Sequence, residues 1–146
     1  MKTLLALAAT LALTLLIIAG IVFGLNDDSI FVSPPEAVAE GFLRQMISKR
    51  YERAVPYLSE DLASHVDADS LHTLGTRLSA RIGGEGEVRG EKGSIDGGHA
   101  TARAVITAKN GATLNIPLSL VRHNGLWSIA SLDSLASIPN SIPNRR

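Results

Sequence analysis

The side chains best suited to chemistry in this sequence lie between Glu60 and His72. Asp61 and His65 are four positions apart, a spacing that puts both on one helix face. Together with Asp67, Asp69 and His72 they offer the carboxylate and imidazole groups that hold zinc or another divalent cation. The spacing follows no zinc pattern. A calcium loop fails as well, because Leu71 and His72 stand where Asp or Asn and then Gly are required. Capping of a helix by Asp67 or Asp69 explains the acids without a ligand. No metal or cofactor site is expected.

Other candidates have equally plain readings. The stretch Gly83-Gly84-Glu85-Gly86 through Gly90 has the look of a phosphate loop. A dinucleotide fingerprint would need a glycine at Arg89 and a preceding strand, and Glu85 and Glu87 would repel phosphate. The segment is expected to link a helix to a strand. His99 and His123 fall at turns, Asp96 at the same turn as His99, while Asp133 follows the last strand. Lys49, Arg50 and Arg53 could touch anionic headgroups or form a solvated loop. Tyr51 and Tyr57 could line a cavity mouth or pack between helices. Trp127 is expected in the core, where its large apolar area is best used. No serine has a nucleophile-elbow context and the chain has no cysteine, so no catalytic residue is assigned.

The elements that would position these groups can be read from periodicity. Ser33-Pro34-Pro35-Glu36 fits a capping box with Pro34 at the first helical position. Val38, Phe42, Met46 and Ile47 follow at helical spacing. A second short helix starts near Tyr51 and carries Ala54, Tyr57 and Leu58, with Pro56 tolerated only in its first turn or at a kink. A third carries Leu71, Leu74, Leu78 and Ile82 and ends at Gly83-Gly84. The period then changes from helix to strand. Strands are expected at Glu87–Ile95, His99–Lys109, Ala112–Arg122 and Leu126–Leu132, joined by Asp96-Gly97-Gly98, Asn110-Gly111 and Asn124-Gly125. Asn110-Gly111 suits a type I′ turn, with positive φ at both residues. Ala100, Ala102, Ala104, Ile106 and Ala108 share one face, as do Leu114, Ile116, Leu118 and Leu120. The fold class is therefore α+β. Three N-terminal helices are expected to pack on one face of a curved four-stranded antiparallel sheet.

The first residues set the context. From Thr3 to Leu25 no side chain is charged. As a helix the run would rise roughly 34 Å, enough to cross a hydrocarbon core of roughly 30 Å. It exceeds the apolar stretch of a signal peptide, and its cleavage candidates at Gly24 and Ala19 are poor. Residues 1–25 are expected to form one transmembrane helix, a signal-anchor, with an uncleaved signal as the variant reading. Lys2 precedes the run and Asp27 and Asp28 follow it, so the positive-inside rule places the N-terminus in the cytoplasm and the domain outside. Lys2 takes one of the 14 basic residues, leaving 13 against 14 acidic, a net charge of −1. That balance argues against nucleic acid as a partner. Without cysteine there is neither a lipid-anchored secretory cleavage site nor a disulfide. The expected plan is anchor 1–25, linker 26–32, domain 33–136 and a disordered tail 137–146.

The segment from Glu36 to Leu62, the Asp-Gly hairpin before an Ala/Thr-rich strand, the Asn-Gly hairpin and the closing Asn124-Gly125-Leu126-Trp127-Ser128-Ile129 resemble the nuclear transport factor 2-like superfamily, a cystatin-like α+β cone. Within it the chain is similar to small bacterial domains that follow a lipobox or a single membrane helix. The resemblance covers about Ser33 to Leu132 and rests on the order of elements. It implies a family of isomerases, dehydratases, ligand binders and interaction domains, so fold does not decide function. Enzymes of the family place an Asp or His inside the cone, and here the inward strand positions are Ala, Ile and Leu. The expected role is a non-enzymatic, single-pass protein of the bacterial inner membrane whose periplasmic or extracellular domain binds a protein partner. That partner could be a second copy, meeting the outer face at Arg103, Val105, Thr107, Thr113, Asn115, Ser119 and Val121. The alternatives are a small apolar ligand in the cone, or an isomerase or dehydratase.

Overall fold

A computed structural model describes residues 33–138. The anchor, the linker at 26–32 and the tail from residue 139 onward lie outside the described residues. Among the described residues no helix is long and apolar enough to cross a membrane.

The chain runs α1 (Pro35–Ile47), α2 (Tyr51–Ala54), a 3-10 turn (Val55–Tyr57), α3 (Glu60–Ala63) and α4 (Ala68–Ile82). Then come β1 (Gly86–Asp96), β2 (His99–Ala108), β3 (Thr113–His123), β4 (Leu126–Ser131) and α5 (Asp133–Ala136). The four strands form one curved antiparallel sheet in chain order. The α+β class and the sheet are as expected, but the helices are not three and not all N-terminal. Pro56 splits the second helix into α2 and the 3-10 turn, since a proline cannot donate within a continuing helix. Ser59 starts α3, its Oγ accepting from the Leu62 amide at 3.3 Å. After β4 the chain turns into α5, whose Leu135 is buried.

α1 begins one residue later than the capping-box reading requires. Pro34 is the N-cap, Pro35 occupies the first turn, and no side chain caps the helix. Glu36 therefore does not close a box with Ser33. The apolar stripe forms as expected: Val38, Phe42, Met46 and Ile47 are buried, with Ala39 and Leu43 beside them. Asp67 caps α4, its carboxylate accepting from the Ser70 amide at 2.8 Å. Gly83 ends that helix at φ 77°.

The helices cover the inward sheet face. Phe42, Leu43, Met46, Leu71, Leu78, Ile106, Ile116, Leu118, Leu120 and Ile129 are fully buried there. Each such side chain stabilises the fold by roughly 1.5–3 kcal/mol. The inward residues of β2 are mostly alanine, so α1 lies close against β1 and β2. Gly90 marks the closest approach. A Cβ there would stand 2.1 Å from the Glu36 carbonyl oxygen.

The turns differ from one another. At Asn110-Gly111 only Gly111 has positive φ, so the expected type I′ turn is absent. Instead the Gly111 amide donates to the Ala108 carbonyl at 2.9 Å and the Asn110 side chain accepts from the Ala112 amide at 3.0 Å. That is the longer hairpin built on a type I turn with a left-handed glycine. Asn124 and Gly125 have φ of 50° and 82° and supply positive φ at both central positions.

Candidate interaction surface

Among the described residues no layer covers the outward sheet face. Thr101, Arg103, Thr107, Thr113, Asn115, Pro117 and Ser119 are exposed, and Val105 and Val121 are half-buried. The side chains are short, neutral or β-branched, apart from Arg103, which lies 3.6 Å from Glu91 on the neighbouring strand. Strands about 4.8 Å apart and about 3.4 Å per residue give a face of roughly 650 Å². A standard interface buries about 800 Å² on each partner. The free edge of β1 carries Glu87, Arg89, Glu91 and Lys92, charges that discourage further strand pairing. Leu58 and Ser59 cover the β4 edge, with the Ser59 amide donating to the Ile129 carbonyl at 2.8 Å.

A groove of about 880 Å³ continues this face where α3 flanks the sheet. Val121, Ser128 and Ala130 are its sheet side, and Glu60, Asp61 and Ser64 its helical wall. His99, His123 and Asn124 close the turn end. Leu126, also in the groove, is 50 % exposed, one of two large hydrophobic side chains so exposed among the described residues.

The sequence candidates scatter around this geometry. Asp61, His99 and His123 all line the groove, which their separation in sequence does not show. His65 instead turns to its own helix, its Nδ1 lying 2.7 Å from the Ser64 hydroxyl and 3.0 Å from the Asp61 carbonyl. The Ser70 amide and hydroxyl both donate to Asp67 and hold its carboxyl below the ordinary range. Asp69 lies in the first turn of α4. His72 meets the Tyr51 ring edge-on at 5.1 Å. Among the described residues no three His, Asp or Glu side chains gather as a metal site would require. Asp133 bonds the Ser131 hydroxyl at 2.7 Å and starts α5. Both tyrosines pack between helices: Tyr51 on Gly75, Tyr57 on Gly41. Trp127 is buried, with the Arg122 guanidinium 5.8 Å from its ring centroid.

Two solved structures share this arrangement. One, from Campylobacter jejuni, is described as a candidate NTF2-like transpeptidase. It aligns over 68% of this chain and 99% of its own, with 17% identity and a TM-score of 0.56. The fold is nuclear transport factor 2-like. A SEC-C motif containing protein from Rhodopseudomonas palustris aligns over 69% of this chain and 78% of its own, at 14% identity and a TM-score of 0.50. No protein-family model matches the sequence, and no curated protein matches it. At such identities the likeness extends to the fold alone, and the nuclear transport factor 2-like fold hosts more than one kind of function.

Proposed function

We propose that this chain is a non-enzymatic interaction domain, held outside the cytoplasm by its N-terminal apolar segment, whose open sheet face takes a protein partner, in the first instance a second copy of itself. The observation that carries this reading is the contrast between the two sides of the sheet. On the inner side the cone is filled by Phe42, Met46, Leu78, Ile106 and their neighbours, and Ser59 is the one buried polar residue among the described ones. General acid–base chemistry needs a titratable group tuned by burial beside the substrate, and among the described residues none of the buried side chains is titratable. The same packing weakens the case for a small apolar ligand, which needs concave space. On the outer side a face of near-standard interface size carries few charges at its centre, as interface cores do. Its groove would receive a protruding side chain of the partner.

Two experiments test the parts separately. Full-length protein should remain with membranes after alkaline carbonate washing, and release of a shortened soluble form would refute the anchor. In detergent the full chain should sediment as a dimer. Asn115→Arg with Ser119→Arg should make it monomeric while leaving its far-ultraviolet circular dichroism unchanged, since both positions are exposed. A monomeric parent, or a dimer indifferent to both changes, would refute the face.

A further inference from the structure

Both of the large hydrophobic side chains left exposed among the described residues stand at one end of the sheet. Ile95 is 52 % exposed and Leu126 50 %. The register defines that end. Asp96 pairs with His99, His99 with Val121 and Val121 with Ser128, so the β1–β2 and β3–β4 turns lie level with each other. Ile95 sits just before the first turn and Leu126 just after the second. Three strand spacings of about 4.8 Å put them roughly 14 Å apart across the sheet. The Asn110-Gly111 turn, between β2 and β3, is at the opposite end. We infer that the end carrying the two hairpins rests on the lipid bilayer, with Ile95 and Leu126 at the boundary between headgroups and acyl chains. This inference rests on the membrane anchor proposed above.

The first argument is which faces the two side chains occupy. Ile95 lies opposite the buried Ala100, so it is on the face that the helices cover, yet the helices leave it open. Leu126 lies opposite His123 and next to the inward-facing Trp127, so it is on the outward face. A partner seated on one face of the sheet covers only one of them. A flat surface meeting the end of the sheet covers both. Leu126 also stands level with His123, four residues or about 14 Å along β3 from Ser119, so this end and the proposed dimer face share an edge but not a centre. The second argument is the course of the chain. The apolar run ends at Leu25, and the eight residues from there to Ser33 reach at most about 29 Å. The first turn of α1 lies over Gly90, and Ile47 at its other end shares a pocket wall with Gly86. The helix therefore runs away from the hairpin end, and its N-terminus points toward it. A tether so short holds that end near the membrane at an effective concentration of roughly millimolar, so a contact too weak to recruit a free domain persists. The charges select the lipid. Lys92 and Arg122 are offset by Asp96 and by Glu60 and Asp61 of α3, which flank Leu126 in the groove. With no excess of cations to draw anionic headgroups, the surface suits zwitterionic lipid, entered by apolar side chains.

The test uses the full chain in vesicles of phosphatidylcholine. The sequence has no cysteine, so Ile95→Cys, Leu126→Cys and, at the opposite end, Asn110→Cys each take a single bimane fluorophore. All three positions are exposed, and each variant should keep the parent's far-ultraviolet circular dichroism. Phosphatidylcholine brominated near the headgroup end of its acyl chains quenches only what touches lipid. It should lower the emission at residues 95 and 126 at least about twofold and leave residue 110 unchanged, as side chains seated at the headgroup–acyl boundary require. Replacing part of the lipid by phosphatidylglycerol should not strengthen the effect. If the chain stays in alkaline-washed vesicles but residue 95 or 126 is quenched no more than residue 110, the inference is overturned and the anchor stands. Shielding of residue 126 from aqueous iodide without quenching by brominated lipid overturns it too, because a protein then covers that side chain. Loss of the chain from the washed vesicles refutes the anchor and this inference with it.

Discussion

Replacing Gly90 by alanine should be among the most damaging single-methyl additions to this domain. Gly90 lies on β1 beneath the first turn of α1, where a Cβ would stand 2.1 Å from the Glu36 carbonyl oxygen and 2.8 Å from its carbon. An ordinary carbon–oxygen contact is about 3.3 Å, so the helix must lift by roughly 1.2 Å. The obstacle is backbone and cannot rotate away. Overpacking of this kind destabilises by about 1–3 kcal/mol. The same movement strains the bond from the Gly90 amide to Glu40 Oε2, now 3.0 Å, and a hydrogen bond to a charged group contributes about 1.5–3 kcal/mol. A loss of about 3–5 kcal/mol is expected, against a typical total of about 5–15 kcal/mol. For a domain of this size that lowers the melting temperature by at least about 12 °C. Trp127 is the only tryptophan, so its fluorescence reads the melt in the full chain. Gly98→Ala is the control, because its nearest obstacle is the Arg122 carbonyl oxygen at 3.9 Å; it should change stability by less than about 0.5 kcal/mol. A Gly90→Ala protein melting within about 2 °C of the parent would refute the close seating of α1 on β1.

Other substitutions probe other parts of the fold. Trp127→Ala, followed by far-ultraviolet circular dichroism, should destabilise by about 3–5 kcal/mol, since the ring is buried. Gly111→Val should lower the melting temperature because φ is 82° there and a β-branched residue resists it. For Asp67 the folded state holds the carboxyl below its ordinary value of 3.8. The sign follows from linkage: its stabilisation is present above that value and is lost as pH falls through the lower folded one. Asp67→Ala should therefore flatten the acid limb of melting temperature against pH below about pH 4 and leave the rest of the profile parallel.

Much of this fold was legible because local signals agreed with tertiary need. The alternation from Ala100 to Ala108 and from Leu114 to Leu120 marks the buried sheet face, and Asp67 and Gly83 bound α4 as their types suggest. Where the reading failed, a second local option competed. Pro35 can start α1 as well as Pro34 can, which displaces the capping box. Asn110-Gly111 suits two hairpin types, and the observed one keeps Asn110 at negative φ with its side chain bonded to Ala112. α3 had a readable cap, Ser59 before Glu60 and Asp61, but its four residues are too few for a periodic signal. α5 had only the Ser131–Asp133 pair to announce it. The groove was not legible at all. Asp61, His99 and His123 line one groove because the Leu58–Ile129 bridge sets α3 beside β4, and nothing local encodes that pairing.

The proposal that the open sheet face binds a second copy is tested most directly by a single introduced cysteine. The natural sequence has none, so Ser119→Cys, exposed on that face on β3, would be the sole thiol in the chain. In membranes from cells producing the full-length variant, brief oxidation should give a disulfide-linked dimer in high yield, and Ala80→Cys on the exposed side of α4 should give little. Equal cross-linking at the two positions, or none at residue 119, would contradict the account.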